Sequence, residues 1–120
     1  MKQLICTLML IISLTGTANA QEAEYLGRFL ITHYCSCRER NGKWTGQPTA
    51  AGTDYVEGRT IAVWKPQIPL GSKVVIGGHE YMAEDTGSGI KQNCIDSYVS
   101  SHQEALELGV YYTDVYLIKE

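Results

Sequence analysis

Past its first 20 residues, the 120-residue chain has no apolar run long enough to cross a bilayer, which takes about 20 consecutive apolar residues. A membrane-spanning helix in the body of the protein is therefore excluded. The sequence also lacks a basic stripe. Lys and Arg number 10 against 13 Asp and Glu, for a net charge of −3, so nucleic acid is not an expected partner. There is no internal repeat and no low-complexity linker, which leaves one domain. No G-x-S-x-G occurs, so a hydrolase nucleophile elbow is absent. Phenylalanine occurs once beside eight tyrosines. Tyrosine joins an apolar ring to a hydroxyl, which suits a partly wet aromatic surface. Most of the tyrosines are nevertheless expected to pack their rings on the core from strands.

What is present begins with an export signal. Lys2 gives a positive start, Leu4 to Leu14 form an apolar run, and Ala18-Asn19-Ala20 is an A-x-A cleavage site. Residues 1–20 read as a secretory signal peptide and residues 21–120 as one mature barrel domain. Removing Lys2 moves the net charge from −3 to −4. Cys6 lies inside the run and away from the cleavage site, so it implies no lipid anchor. The cysteines that remain are Cys35, Cys37 and Cys94. In an oxidising compartment a disulfide is the default. Cys94 joined to Cys35 or Cys37 would tie an early strand to a late one and leave one thiol over. Zinc is the competing reading, with His33 beside the two earlier cysteines. C-x-C is not the usual C-x-x-C knuckle, and no metal is expected.

Along the mature chain, short β-type runs alternate with glycine-rich turns. Strands are expected at Leu26 to Tyr34, Thr60 to Trp64, Lys73 to Ile76, Glu80 to Glu84, Cys94 to Val99 and Tyr111 to Ile118. Asn41 to Gly58 is loop-like, and Gly77-Gly78 marks a tight hairpin. Ser101 to Leu108 reads as a helix, with Ser101-x-x-Glu104 as its capping box and Gly109 at its end. This is an all-β pattern with one short helix before the last strand. About six strands in 100 residues close into a small barrel more easily than they stack as a sandwich.

The residues suited to chemistry are acidic. Asp85 ends an apolar strand and enters Thr86-Gly87-Ser88-Gly89, where a carboxylate is held firmly yet stays open to a ligand. Asp96 sits inside a strand-like stretch, where aspartate is depleted. Apolar neighbours such as Ile95 and Val99 would raise its pKa, as a general acid requires. A structural role for either carboxylate, bonded to backbone N–H groups, is the alternative. Cys35 with His33 is a weaker nucleophile pair, since a disulfide would consume the thiol. Trp44 and Trp64 have rings able to stack on sugars. Asp85-Thr86-Gly87 also matches the D-T-G of aspartic proteases, though Glu84 stands where that family has an apolar residue.

The stretch from Gly27 to Ile118 resembles the 3D-domain proteins of Gram-positive bacteria, named for three aspartates. The resemblance rests on Thr32-His33-Tyr34-Cys35-Ser36-Cys37, Gly42-Lys43-Trp44-Thr45-Gly46, Thr49-Ala50-Ala51-Gly52-Thr53 and Gly58-Arg59-Thr60-Ile61-Ala62-Val63. It continues through Ile68-Pro69-Leu70-Gly71, Ala83-Glu84-Asp85-Thr86-Gly87, Ile95-Asp96 and Ser101-His102-x-Glu104-Ala105-Leu106 to Val115-Tyr116. It implies a six-stranded double-psi β-barrel related to membrane-bound lytic transglycosylase A and the expansins. It also implies peptidoglycan glycan strands as substrate. Asp85 and Asp96 fall on the second and third family aspartates, and Asp96 on the catalytic acid/base. Thr49 and Thr53 would offer hydroxyls to the sugar, with Thr86 and Trp44 beside them. Trp64 stands where the first aspartate belongs, and Arg40-Asn41 replaces a Cys-Cys pair. The implied protein is a monomeric lytic transglycosylase without metal or cofactor, secreted or bound to the wall. A wall-binding barrel without catalysis is the alternative, and a D-T-G protease the more distant one.

Overall fold

The structure, a computed structural model, describes residues 9–13, 20–37 and 47–119. In chain order the elements are β1 (Met9–Ser13), β2 (Ala20–Tyr34), β3 (Thr60–Ala62), β4 (Lys73–Ile76), β5 (His79–Asp85), β6 (Cys94–Tyr98), the helix α1 (His102–Leu108) and β7 (Tyr111–Lys119). Strand β2 is hydrogen-bonded on both edges, parallel to β6 and antiparallel to β7. The ring runs β2-β6-β3-β5-β4-β7 and returns to β2. Six strands thus close on themselves, which removes the exposed edges an open sheet would carry. The pairings of β2 with β6 and of β3 with β5 are parallel, and the other pairings in the ring are antiparallel. This is the double-psi barrel with a helix before its last strand. Among the described residues, no helix is long and apolar enough to cross a membrane.

Period-two alternation fills the barrel. On β2, Phe29 and Ile31 are buried in the core, whereas Leu30 and Thr32 line an outer groove. On β6, Ile95 points inward between Cys94 and Asp96. Ile61, Val74, Ile76, Ala83 and Val115 from the remaining strands, with Val63 and Ile68 from the segment after β3, complete the core. A fully buried aliphatic or aromatic side chain contributes roughly 1.5–3 kcal/mol, so this cluster is the main source of cohesion. Gly77 and Gly78, at φ 59° and 78°, form the two-residue turn between Ile76 and His79, with the left-handed backbone such hairpins demand. The helix has no buried residues and relies on its caps. Ser101 Oγ accepts the Glu104 N–H at 3.0 Å, and the Gly109 N–H donates to the Ala105 carbonyl.

Three details depart from the strand pattern read in the sequence. Strand β2 begins at Ala20, because its first half pairs with β7 as far as Glu22 opposite Lys119 and with β1 as far as Ala20 opposite Ser13. Strand β3 ends at Ala62, because the Trp64 carbonyl accepts the N–H groups of Gln67 and Ile68 and turns the chain. On β5, Ile61 pairs with Ala83 but Ala62 pairs with Asp85. Glu84 is therefore the extra residue of a bulge, and Asp85 does not follow Ala83 into the core.

Strand β1 pairs with β2 from Met9 opposite Glu24 to Ser13 opposite Ala20, outside the closed ring. The ring itself uses nothing before Glu22. We expect a chain that starts at Gln21 to fold with an unchanged far-UV circular dichroism spectrum and a melting temperature within a few degrees of the full chain. Loss of cooperative melting in that variant would show that β1 is part of the folding unit.

Candidate functional site

Strand β3 sets the two aspartates side by side. Ala62 is the register partner of Asp85 on β5 and of Asp96 on β6. With neighbouring strands about 4.8 Å apart, the two aspartate Cα atoms are separated by about 10 Å. Each carboxylate accepts a hydroxyl from the same face of β2. Thr32 Oγ donates to Asp96 Oδ1 at 2.8 Å, and Tyr34 Oη donates to Asp85 Oδ2 at 2.9 Å. Residues two apart on a strand share a face, so one stretch of β2 serves both.

The surroundings of the two carboxylates differ. Asp96 is 7% exposed and lies in the wall of a groove of about 610 Å³. Leu30, Ala62, Ile90, Leu106 and Val110 give this groove an apolar lining, and Thr32 is its hydroxyl beside the acid. Leu106 and Val110 are exposed at its rim. Asp85 lines a different cavity of about 560 Å³, with Pro48, Ala50 and Tyr55. Its Oδ1 accepts the Ala50 N–H at 3.0 Å, which anchors the incoming loop. Thr86, Gly87 and Ser88 line both cavities and form the partition between them.

Asp85 also governs the tyrosines around it. Burial, then the Asp85 charge and its hydrogen bond, hold the Tyr34 hydroxyl far above the usual tyrosine value, so it remains a donor. Tyr55 is pushed up to about 12 by burial first and by Asp85 next. Tyr34, Tyr55 and Tyr98 pack ring against ring, with centroids 5.1 to 6.1 Å apart. The preceding Glu84 is also buried. It accepts Thr60 Oγ at 2.7 Å and pairs with Arg59 Nε at 3.1 Å. The D-T-G segment therefore carries a carboxylate tied to the protein's own donors, Tyr34 and Ala50.

Other residues singled out in the sequence fall elsewhere. Thr86 is in the partition. The Thr49 hydroxyl is 2.7 Å from that of Thr53 and accepts the Thr53 N–H at 3.0 Å, and neither residue lines the two cavities. Their contacts are those of a hydroxyl-stabilised turn. Trp44 lies outside the described residues. Trp64 is half-exposed beyond β3 and lines neither cavity. The expected bridge from Cys94 does not form. Cys35 is bonded to Cys37, and Cys94 is a free thiol lining the groove. Parallel pairing explains this, because Cys94 stands opposite Leu30. That register is five residues before Cys35, or about 16 Å along the strand, far beyond disulfide reach. His33 donates from Nδ1 to the Gly109 carbonyl at 2.9 Å, so it supports the helix end and not the cysteines. Thr32 and Tyr34 were not among the candidates. Two hydroxyls at period two on a strand otherwise facing a core were the available signal.

The model of the 3D domain family matches residues 59–119, which contain both aspartates. The cell wall-binding protein YocH of Bacillus subtilis (strain 168) is 46% identical over 66 residues, covering 52% of this chain and 23% of that protein. This chain thus spans about a quarter of that relative. The barrel superimposes on E. coli MltA with bound chitohexaose at a TM-score of 0.53 and 19% identity, over 62% of this chain and 28% of that one. A second E. coli MltA structure gives a TM-score of 0.51 at 14% identity, over 92% and 51% of the two chains. At these identities the likeness is one of fold.

Two measurements test the electrostatics. Arg59→Ala should lower stability by about 1–2 kcal/mol in urea unfolding, because it strips a partner from a buried carboxylate. The Arg59 side chain is 43% exposed, and solvent screening keeps the loss below that of a fully buried pair. Tyr34 and Tyr55 both titrate above the ordinary tyrosine value of 10.0. The stability they contribute is complete below pH 10.0 and is lost as pH rises toward and through about 12, the Tyr55 value. The melting temperature should fall across that interval, and more gently in Tyr55→Phe.

Proposed function

The chain belongs to the 3D domain family, and from that premise we propose that it is exported and cleaves peptidoglycan glycan strands as a lytic transglycosylase. The observation that carries the proposal is Asp96 in the groove wall, 7% exposed, with its Oδ1 fixed by Thr32 at 2.8 Å. A carboxyl held in this way can act first as acid and then as base. Protonated Asp96 donates to the oxygen that links N-acetylmuramic acid to the next sugar, and that C–O bond breaks. Positive charge develops at the anomeric carbon of the muramic acid residue. The resulting Asp96 carboxylate takes the proton from that sugar's 6-hydroxyl, whose oxygen closes onto the anomeric carbon as a 1,6-anhydro ring. The proton returns to Asp96, and no water is consumed.

This route needs one carboxyl in the groove, whereas ordinary glycosidases place two across the scissile bond. Asp85 faces the other cavity and is engaged by Tyr34 and Ala50. Its part is to position the loop and partition that shape the groove. Replacement of the first family aspartate by Trp64 is compatible with this single-acid route.

Wall binding without cleavage is the second reading. It is favoured by the 46% identity to a cell wall-binding protein and by the half-exposed ring of Trp64 in place of a carboxylate. Digestion of insoluble cell wall followed by mass spectrometry separates the two. The unaltered protein should release fragments with 1,6-anhydro ends. Asp96→Asn should bind the wall as before and cleave at least about 10²-fold more slowly, the scale of a lost general acid. Products with reducing ends only would replace the anhydro route by hydrolysis. Binding without any release by the unaltered chain would establish the second reading.

A further inference from the structure

Apart from the groove, the described residues bring three metal-ligating side chains together where β2 ends and α1 begins. His102 Nδ1 is 3.7 Å from Cys35 Sγ and 3.7 Å from Cys37 Sγ. The three ligand atoms all lie within 4.8 Å of one another. Cys35 is buried, and Cys37 and His102 are half-buried. In a tetrahedral zinc site with Zn–S of about 2.3 Å and Zn–N of about 2.0–2.1 Å, the S···N edge is about 3.6 Å. The imidazole nitrogen already stands at that edge length from both sulfurs. In the disulfide form this nitrogen is within weak hydrogen-bond distance of both sulfurs. A chelated ion would take the same nitrogen as a ligand.

We propose that the thiol form of the Cys35–Cys37 pair, together with His102, binds a divalent d¹⁰ ion of the zinc class. An external dithiol supplies two electrons and two protons, cleaves the S–S bond and becomes a disulfide itself. The ion then displaces both thiol protons, two S–metal bonds form, and neutral His102 ligates through Nδ1. The sulfurs separate to a tetrahedral edge of about 3.8 Å. These three side chains leave a fourth tetrahedral position for water or a further ligand. The disulfide closes the site under oxidising conditions, and its reduction opens it. The ion would clamp the end of β2 to the helix whose Ala105 and Leu106 line the groove. Redox state and metal supply thereby act on the groove wall.

The test uses the full chain with Cys6→Ser and Cys94→Ser as background, reduced by a dithiol, freed of reductant without air and titrated with Co²⁺. One ion per chain should bind, with a thiolate-to-cobalt charge-transfer band and tetrahedral d–d bands that Zn²⁺ abolishes. The oxidised chain should show none of these bands. Cys37→Ser should lose the tetrahedral spectrum. His102→Ala should raise the cobalt concentration for half-loading at least about tenfold, in the range by which ligand-shell changes alter affinity. Both substituted positions are half-buried, and far-UV circular dichroism checks that the fold is kept. A reduced chain without the bands overturns the proposal. So does half-loading unchanged by His102→Ala, or a tetrahedral spectrum that survives Cys37→Ser.

Discussion

Strand β2 is the constraint on which the molecule depends. It is hydrogen-bonded to β6 on one edge and to β7 on the other, and so closes the ring. Its alternation gives each face a separate task. Phe29 and Ile31 are driven inward by burial, which leaves Thr32 and Tyr34 at period two to meet polar partners. Thr32 orients Asp96, and Tyr34 holds Asp85. A slip of one residue in this strand would turn Thr32 and Tyr34 away from their carboxylates and expose the core at once.

From this arrangement the two aspartates acquire different work. They flank the same residue of β3, yet the bulge at Glu84 and the Thr86–Ser88 partition direct them to separate cavities. Asp85 is spent on protein donors and organises a tyrosine cluster. Asp96, held by Thr32, faces the groove. Among the described residues Asp96 is the one acid that lines the groove, which is the arrangement the proposed single-acid route uses.

The periodic features were legible because they are local. Local pattern predicts Lys73–Ile76 with its observed bounds, and the turn at Gly77-Gly78 and the Ser101 cap need only neighbouring residues. Asp85 and Asp96 stood out as carboxylates in strand-like surroundings. Their hydrogen-bond partners did not, because Thr32 and Asp96 are 64 positions apart in the chain. The cysteines show the same limit. Sequence spacing offers Cys94 as a partner for Cys35 or Cys37, but the β2–β6 register places it opposite Leu30, while His102 arrives beside the other two from the helix start.

The sequence by itself determined the strand and helix inventory, the apolar alternation that makes a barrel, and the identity of the acidic residues. All of these are set by backbone propensity and side-chain periodicity over a few residues. Only the tertiary structure decided which acid faces a groove, which hydroxyl holds it, which cysteines are joined and which histidine approaches them. Those choices depend on strand register, on one bulge and on ring closure, which are fixed by packing contacts between distant parts of the chain.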